Sequence, residues 1–257
     1  MPSTPTISST HKDYSLKNYW SLFFVQMQGA FSDNLFKFLV IFTSININGI
    51  DGEERDFRLF LIAVVFSLPF ILFSMTSGCL VDRSSKARVI TWTKRAEIFI
   101  MAFGLFALMS LNFHLMLAVI FLMSVQSAVF SPAKYSSLPE ILPNHKLSWG
   151  NGIFSLGTFF GIIAGGTAAG FLSNSLGPER VWICGFILIV LAILGTLISK
   201  LMERKPAANP SKEIEWNFVQ ELSKNLKLVS KNRVLTLAIV GSVYFWLIGA
   251  FYEPTLV

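Results

Sequence analysis

Long apolar runs alternate with short polar stretches along almost the whole chain. The apolar windows cover residues 20–46, 58–81, 89–111, 113–131, 151–173 and 181–201, and a seventh covers 233–257. About 20 apolar helical residues cross the roughly 30 Å hydrocarbon core of a bilayer. Because backbone polar groups in lipid must be satisfied within the segment, the pattern predicts an all-α polytopic membrane protein with six spans and the start of a seventh.

A polar stretch at 202–232 separates the sixth span from the seventh. Pro206 and Pro210 interrupt its first part, and apolar residues then recur at helical spacing among charged ones, at Ile214, Phe218, Leu222, Leu226 and Val229. This spacing predicts an amphipathic helix on the membrane surface. An ordinary surface helix before an unrelated span fits equally well. We therefore expect a tail (1–19), a six-span unit (20–201), a linker (202–232) and the start of a second unit (233–257).

Basic residues lie mainly on one side of the predicted spans. Most of the 21 Lys and Arg fall in the tail, in the loops after spans two and four, and in the linker. The opposite loops contain Arg55, Arg58 and Arg180. Short cytoplasmic loops retain positive charge, so the pattern places the N-terminus in the cytoplasm. The first nineteen residues have no signal-peptide core, and we expect a cytoplasmic tail.

Composition agrees with this reading, since 53% of the residues are hydrophobic and 14% are charged. The net charge of +6 follows the loop asymmetry and forms no separate basic domain, which argues against a nucleic-acid partner. Cys79 and Cys184 each lie in a predicted span, and His11, His114 and His145 are scattered. We therefore expect no disulfide framework, no metal site and no cofactor.

The first span carries Asp33, Asn34 and Lys37 near its middle. A charge at the centre of a membrane helix costs roughly 2.5–3.5 kcal/mol on insertion scales, so it needs a partner or a purpose. Asp33 and Lys37 are four residues apart and share a helix face, so they can form a structural ion pair. A substrate site is the other interpretation.

The loop between spans two and three reads GCLVDRSSKARVI over residues 78–90. It fits GxLxDRxxxxR, with Gly78, Asp82, Arg83 and Arg88 in register and Lys86 inside the motif. Gly78 is expected to let two helices approach closely, Asp82 to interact with a helix N-terminus, and the basic residues to pair with acidic groups or anionic lipid. The motif resembles the loop signature of the major facilitator superfamily, which implies a gate at this loop.

Span five contains GTFFGIIAGGTAAG over residues 157–170. Small residues repeat every four positions, at Gly157, Gly161 and Gly165 and again at Gly166 and Gly170. This pattern predicts close helix packing. A sliding surface for alternating access is the sharper interpretation. The segment resembles the glycine-rich fifth helix of the same superfamily, without the proline of its antiporters, so we do not infer exchange.

Residues 131–152, SPAKYSSLPEILPNHKLSWGNG, narrow the resemblance. This run, the Asp33-Asn34 pair, and Phe245, Trp246 and Gly249 in span seven are similar to the bacterial lysophospholipid transporters of that superfamily. The resemblance implies an inner-membrane transporter that moves lysophospholipids such as lysophosphatidylethanolamine by alternating access. Members have twelve spans in two halves, so it also implies a missing C-terminal half or a second copy as partner.

Further partners implied by the resemblance are membrane lipids and a lysophospholipid acyltransferase, which some members carry as a fused domain. The charged residues and the resemblance together predict a substrate site made of Asp33, Asn34, Lys37, Lys134, Tyr135 and Glu253. A cation of this set would meet the substrate phosphate, a carboxylate would meet its ammonium, and the Phe-rich walls would take the acyl chain. Tyr135 and Asn34 would orient the head group.

Two other functions fit the same pattern: export of other amphipathic molecules, and a non-transporting membrane anchor for a fused acyltransferase. An enzyme within these residues is not expected, because no nucleophile and base pair is evident and His145 lacks an aspartate four residues on.

The cluster of Lys94, Arg95 and Glu97 in span three is expected to extend towards the cytoplasm. The alternative is that Glu97 is a second buried carboxylate.

Overall fold

The computed structural model describes residues 15–45, 51–207, 209–211, 223 and 227–252, and within them every predicted span corresponds to a helix. The helices are α1 (Leu16–Ile45), α2 (Gly52–Asp82), α3 (Lys86–Ser110), α4 (Phe113–Ile141), α5 (Leu147–Leu176), α6 (Ile183–Ser199) and α7 (Arg233–Tyr252). A short 3-10 helix, Asn144–Lys146, precedes α5. The tail before residue 15 and most of the predicted amphipathic helix lie outside the described residues, so the four predicted regions stay a prediction.

The chain divides into two compact units, residues 1–212 and 213–257. In the first, α1 packs against α4, α5 and α6, α2 packs on α4, and α3 packs on α4 and α6. In the second, α7 begins after Asn232, whose side-chain oxygen accepts hydrogen bonds from the backbone amides of Val234 and Leu235 at 3.1 and 3.2 Å. Such N-cap contacts satisfy amides that have no partner within the helix.

Local sequence explains where several helices begin and end. The Asp51 carboxylate caps α2 by accepting a hydrogen bond from the Glu54 amide at 2.8 Å. Between α3 and α4 the chain turns at Leu111, whose φ of 50° is left-handed, and the Asn112 side chain then caps α4. This short connection makes α3 and α4 antiparallel neighbours.

Three of the described helical segments are long and apolar enough on their own to cross a membrane: Gly52–Asp82, Phe113–Ile141 and Asn144–Leu176. The helices α1 and α3 carry charged residues near their middles, and α6 is shorter. Large apolar side chains nevertheless cover the outside of the bundle, for example Phe99, Phe171 and Ile163. An apolar exterior of this extent indicates a surface in contact with lipid.

Glycines of α5 let its backbone approach α1. A Cβ atom at Gly161 would lie 2.6 Å from the carbonyl oxygen of Met27, and one at Gly165 would lie 2.5 Å from that of Phe31. A Cβ at Gly157 would meet the ring of Phe23. Because these atoms belong mainly to the backbone of α1, a larger side chain would force the two helices apart.

The second small-residue pair packs more loosely, since Cβ atoms at Gly166 and Gly170 would lie 3.2 and 3.6 Å from the rings of Phe38 and Phe42.

Gly78 does not make the close helix contact that we expected. A Cβ at this position would meet no atom within 4 Å among the described residues. The reason is its position on the helix: its neighbours Ser77 and Cys79 are buried, whereas Gly78 lies on the more open face of α2.

Candidate functional site

Polar side chains form a layer across the middle of the six-helix bundle. On α1, Val25 belongs to one buried apolar cluster and Leu35 to another, and the polar residues of this helix lie between them. The helix α3 repeats the arrangement, with its charged residues between Ile90 and Met101. Polar groups from several helices therefore lie at one depth, separated by apolar packing from both ends of the bundle.

One part of this layer consists of four buried side chains, Ser32, Lys94, Glu97 and Thr196, together with the partly buried Gln28, and we call these five residues the buried cluster. The Lys94 ammonium donates to Glu97 Oε2 at 2.6 Å and to Gln28 Oε1 at 2.8 Å. The Gln28 amide donates to Glu97 Oε1 and to Ser32 Oγ, both at 2.9 Å. Thr196 donates to the carbonyl oxygen of Lys94 at 2.9 Å. The cluster thus ties α1, α3 and α6 together with opposite charges that compensate each other.

The expectation that this charged group extends towards the cytoplasm is wrong for Lys94 and Glu97, whose side chains are each 1% exposed. Arg95 is exposed and places its guanidinium 5.8 Å from the ring centroid of Trp92, and its extension towards the cytoplasm stays a prediction. Lys94 stays inside because Glu97 and Gln28 satisfy its ammonium there. Space for it comes from Gly29, where a Cβ would lie 3.0 Å from Lys94 Nζ.

The other part of the layer is half-buried and joins α1 to α4. Asp33 Oδ2 accepts a hydrogen bond from Ser127 Oγ at 2.7 Å. The Lys134 ammonium donates to Gln26 Oε1 at 3.0 Å, and the Gln26 amide donates to Thr158 Oγ1 at 3.1 Å. The hydrogen-bond partners of Asp33 and Lys134 are neutral, so these contacts orient the two charges without neutralising them.

Aromatic rings surround the Lys134 ammonium, which lies 4.9 Å from the ring centroid of Tyr135 and 5.6 Å from that of Phe130. Tyr135 itself is 53% exposed. Cation–π contacts of this kind hold an ammonium in place while it remains available to an anion. The SPAKY run therefore places a cation and an exposed phenol side by side.

The remaining predicted site residues are placed less favourably for a shared site. Asn34 is buried and donates its amide to the carbonyl oxygen of Ala30 at 2.8 Å, within its own helix. The Lys37 ammonium lies 4.9 Å from the ring centroids of Phe38 and Phe66. The pairing of Lys37 with Asp33 stays a prediction. Glu253 lies outside the described residues.

The loop with the GxLxDRxxxxR motif is attached to the end of α4. Lys86 forms an ion pair with Glu140 at 2.5 Å and donates to the carbonyl oxygen of Ser136 at 2.9 Å. The carbonyl oxygen of Asp82 accepts a hydrogen bond from the Asn209 amide at 2.9 Å. Arg83 and Arg88, whose gating role stays a prediction, are exposed.

Sequence reasoning missed the neutral polar partners of the charged residues, namely Gln26, Gln28, Ser127 and Thr158. The available signal was the presence of glutamine within an apolar span, since buried polar groups require hydrogen-bond partners. Their pairing was not predictable, because each contact joins two helices that are far apart in sequence.

Family comparison agrees with this architecture. Residues 22–256 match the model of the Major Facilitator Superfamily. The chain belongs to this superfamily. The predicted fold, a six-helix N-terminal half followed by a seventh span, is thereby confirmed, and the chain is part of a membrane transporter family.

Similar proteins confirm the narrower resemblance. The chain is 25% identical over 189 residues to the lysophospholipid transporter LplT of Photorhabdus laumondii, covering 72% of the chain and 44% of the relative. It is 24% identical over 246 residues to LplT of Escherichia coli (strain SE11), covering 93% and 57%. The uncharacterized MFS-type transporter YkuC of Bacillus subtilis is 25% identical over 195 residues, covering 71% and 43%. The chain spans about half the length of these curated relatives.

The fold also occurs in a solved transporter. The crystal structure of peptide transporter POT in complex with sulfate superposes with a TM-score of 0.60 over 93% of this chain and 46% of the transporter, at 15% identity. At this identity the likeness concerns the fold alone.

Proposed function

We propose that the chain is the N-terminal half of a transporter that moves lysophospholipids across the bacterial inner membrane by alternating access. The observation that carries this proposal is the arrangement of Asp33 and Lys134, which are opposite charges held on facing helices by neutral partners. Charges that only needed to be tolerated in the membrane would compensate each other directly, as Lys94 and Glu97 do.

A zwitterionic head group matches this arrangement. Its phosphate accepts charge-assisted hydrogen bonds from Lys134, and its ammonium pairs with the carboxylate of Asp33. Gln26 and Ser127 hydrogen-bond the two charged groups, and they provide replacement partners when the substrate leaves. The exposed hydroxyl of Tyr135 lies beside Lys134 and is suited to orient the phosphate.

The apolar part of the substrate finds compatible surroundings in the aromatic residues of α1 and α4. Phe130 borders the Lys134 ammonium, and Phe38 and Phe66 border that of Lys37. A single acyl chain follows such walls while the head group stays in the polar layer. The similarity to proteins named lysophospholipid transporter supports this substrate class.

Alternating access requires a second half, because substrate sites of this superfamily architecture lie between two helical repeats. We propose that a C-terminal half or a second copy of the chain supplies it, and that the loop at 78–88 closes against that partner. Close packing of α1 on α5 through Gly161 and Gly165 keeps α1 and its charges fixed to the moving unit. A lysophospholipid acyltransferase would use the delivered substrate.

The test measures how fast fluorescent lysophosphatidylethanolamine crosses the membrane of proteoliposomes that contain the chain. Where the protein continues beyond Val257, the longer protein is tested in the same way. Asp33→Asn and Lys134→Gln are expected to abolish the movement. Arg95→Gln is the matched control, because it removes an exposed charge of similar depth from α3 and should leave the rate unchanged. All variants are first compared by size-exclusion chromatography to establish folding.

Three outcomes overturn the proposal. No movement by folded protein of either length excludes lysophospholipid as the substrate. Equal movement of an unrelated amphipathic cation, with the same dependence on Asp33, would favour export of amphipathic molecules. Undiminished lipid movement in both site variants would show that the polar layer is not the substrate site.

A further inference from the structure

A second binding site is suggested by a groove on the outside of the bundle, between α2, α3 and α4. Its volume is about 670 Å³, within the range of small-molecule pockets, so it has room for part of a lipid such as one acyl chain. The walls are mostly apolar, and Trp92, Phe99 and Leu122 line it with 63%, 77% and 41% of their surfaces exposed. Neither Asp33 nor Lys134 is among the described residues that line this groove, which we call the α3 groove. It touches the polar layer only through Gln126 among its lining residues, whose side-chain oxygen accepts a hydrogen bond from Ser127 Oγ at 3.3 Å.

The α3 groove has its charge at one end. Arg88 lies in the first turn of α3, beside Ser84, and its side chain is exposed. No described residue forms a hydrogen bond or ion pair with the Arg88 guanidinium. No described Asp or Glu lines the groove either. A ligand that fills it therefore meets one uncompensated cation and apolar walls.

The length of the α3 groove corresponds to one leaflet of a bilayer. Arg88 and Phe99 are separated by eleven positions along α3. At 1.5 Å per residue this is roughly 16 Å, which is about half of the hydrocarbon core. Arg88 lies on the basic side that the positive-inside rule assigns to the cytoplasm. The groove thus extends from the head-group level to the centre of the bilayer.

We propose that the α3 groove binds one anionic phospholipid of the cytoplasmic leaflet. The guanidinium of Arg88 and the hydroxyl of Ser84 hold the phosphate, while an acyl chain lies along Trp92 and Phe99. A zwitterionic lipid is less favoured because its ammonium finds no carboxylate in the groove. This lipid is a resident ligand and not the transported substrate, so the inference does not depend on the proposed transport activity.

Trp92 reports directly on occupancy, because brominated acyl chains quench tryptophan fluorescence. The chain is reconstituted in phosphatidylcholine vesicles that contain increasing fractions of dibrominated phosphatidylglycerol or, separately, dibrominated phosphatidylcholine. The contribution of Trp92 is obtained by subtracting the emission of Trp92→Phe. We expect dibrominated phosphatidylglycerol to reach half of the maximal quenching at a fraction about fivefold lower than dibrominated phosphatidylcholine needs. This ratio is typical of one basic residue at an anionic surface.

Three variants identify the site. Arg88→Gln is expected to equalise the two lipids, whereas Arg83→Gln, which removes an exposed charge outside the groove, should keep the fivefold preference. Val125→Phe narrows the groove and should raise the fraction of anionic lipid needed for half-quenching. Equal quenching by both lipids in the unchanged protein would overturn the proposal, as would loss of the preference in Arg83→Gln. Unquenched Trp92 would also overturn it, because no acyl chain would then lie along this residue.

Discussion

The Lys94 ammonium lies 2.6 Å from the Glu97 carboxylate, one turn along α3, and both side chains are 1% exposed. Gln28 of α1 bridges the pair by accepting from Lys94 and donating to Glu97. A fully compensated pair at this depth contrasts with Asp33 and Lys134, which are held by neutral groups. The buried cluster therefore belongs to the architecture of the bundle, and we propose that Asp33 and Lys134 are kept for the substrate.

Removing one member of the buried pair should destabilise the protein strongly. Lys94→Met leaves the Glu97 carboxylate without its counter-charge, and such a change costs about 3–5 kcal/mol. The double variant Lys94→Met with Glu97→Leu should lose less than either single variant, because no charge then remains buried. Thermal unfolding in detergent measures the three values, with Arg95→Gln expected to stay within about 0.5 kcal/mol of the unchanged protein. If the stability lost in the double variant equalled the sum of the two single losses, Lys94 and Glu97 would not form a direct pair.

Close packing of α5 on α1 makes two glycines of the same helix differ in their response to alanine. Gly161→Ala places a Cβ 2.6 Å from the Met27 carbonyl oxygen and should lower the unfolding temperature. A Cβ at Gly152 would meet no atom within 4 Å among the described residues. Gly152→Ala should therefore stabilise the protein by about 0.5–1 kcal/mol, because alanine favours a helix more than glycine does. The two variants are compared by thermal unfolding. Equal responses would mean that α1 and α5 can separate without cost.

Gln26 is expected to act as a positioning residue for the substrate phosphate. Gln26→Leu removes the acceptor that orients Lys134, so the half-saturating concentration of lysophospholipid should rise several-fold while the maximal rate changes less. Thr158→Val removes the contact behind Gln26, together with a hydrogen bond to the Phe154 carbonyl oxygen of its own helix, and should have a smaller effect. Concentration-dependent flux in proteoliposomes distinguishes the variants. A fall in maximal rate with unchanged half-saturation in Gln26→Leu would indicate a different role.

Orientation in the membrane is testable with single cysteines. In a background where the buried Cys79 and Cys184 are replaced by Ala, Arg58→Cys should react with a membrane-impermeant maleimide in intact cells. Arg83→Cys should react only after the membrane is permeabilised. The reverse labelling pattern would invert the predicted topology, with the N-terminus outside.

Hydropathy and charge asymmetry determined the six spans, the beginning of the seventh and the predicted orientation. These properties are local, because a segment enters lipid according to its own composition and its flanking charges. Short motifs such as SPAKY and the GxLxDRxxxxR loop also identified the superfamily and its lysophospholipid branch. Asp33 and Lys134 were predictable as candidates for the same reason, since intramembrane charge is costly wherever it occurs.

Only the tertiary structure decided which polar groups meet. Lys94 and Arg95 are adjacent in sequence, yet one is buried against Glu97 and the other is exposed beside Trp92. Gly161 contacts a neighbouring backbone, whereas Gly78 meets open space among the described residues. These differences depend on which face of each helix is turned towards another helix. Helix packing sets that rotation through contacts between residues distant in sequence, and composition alone does not contain it.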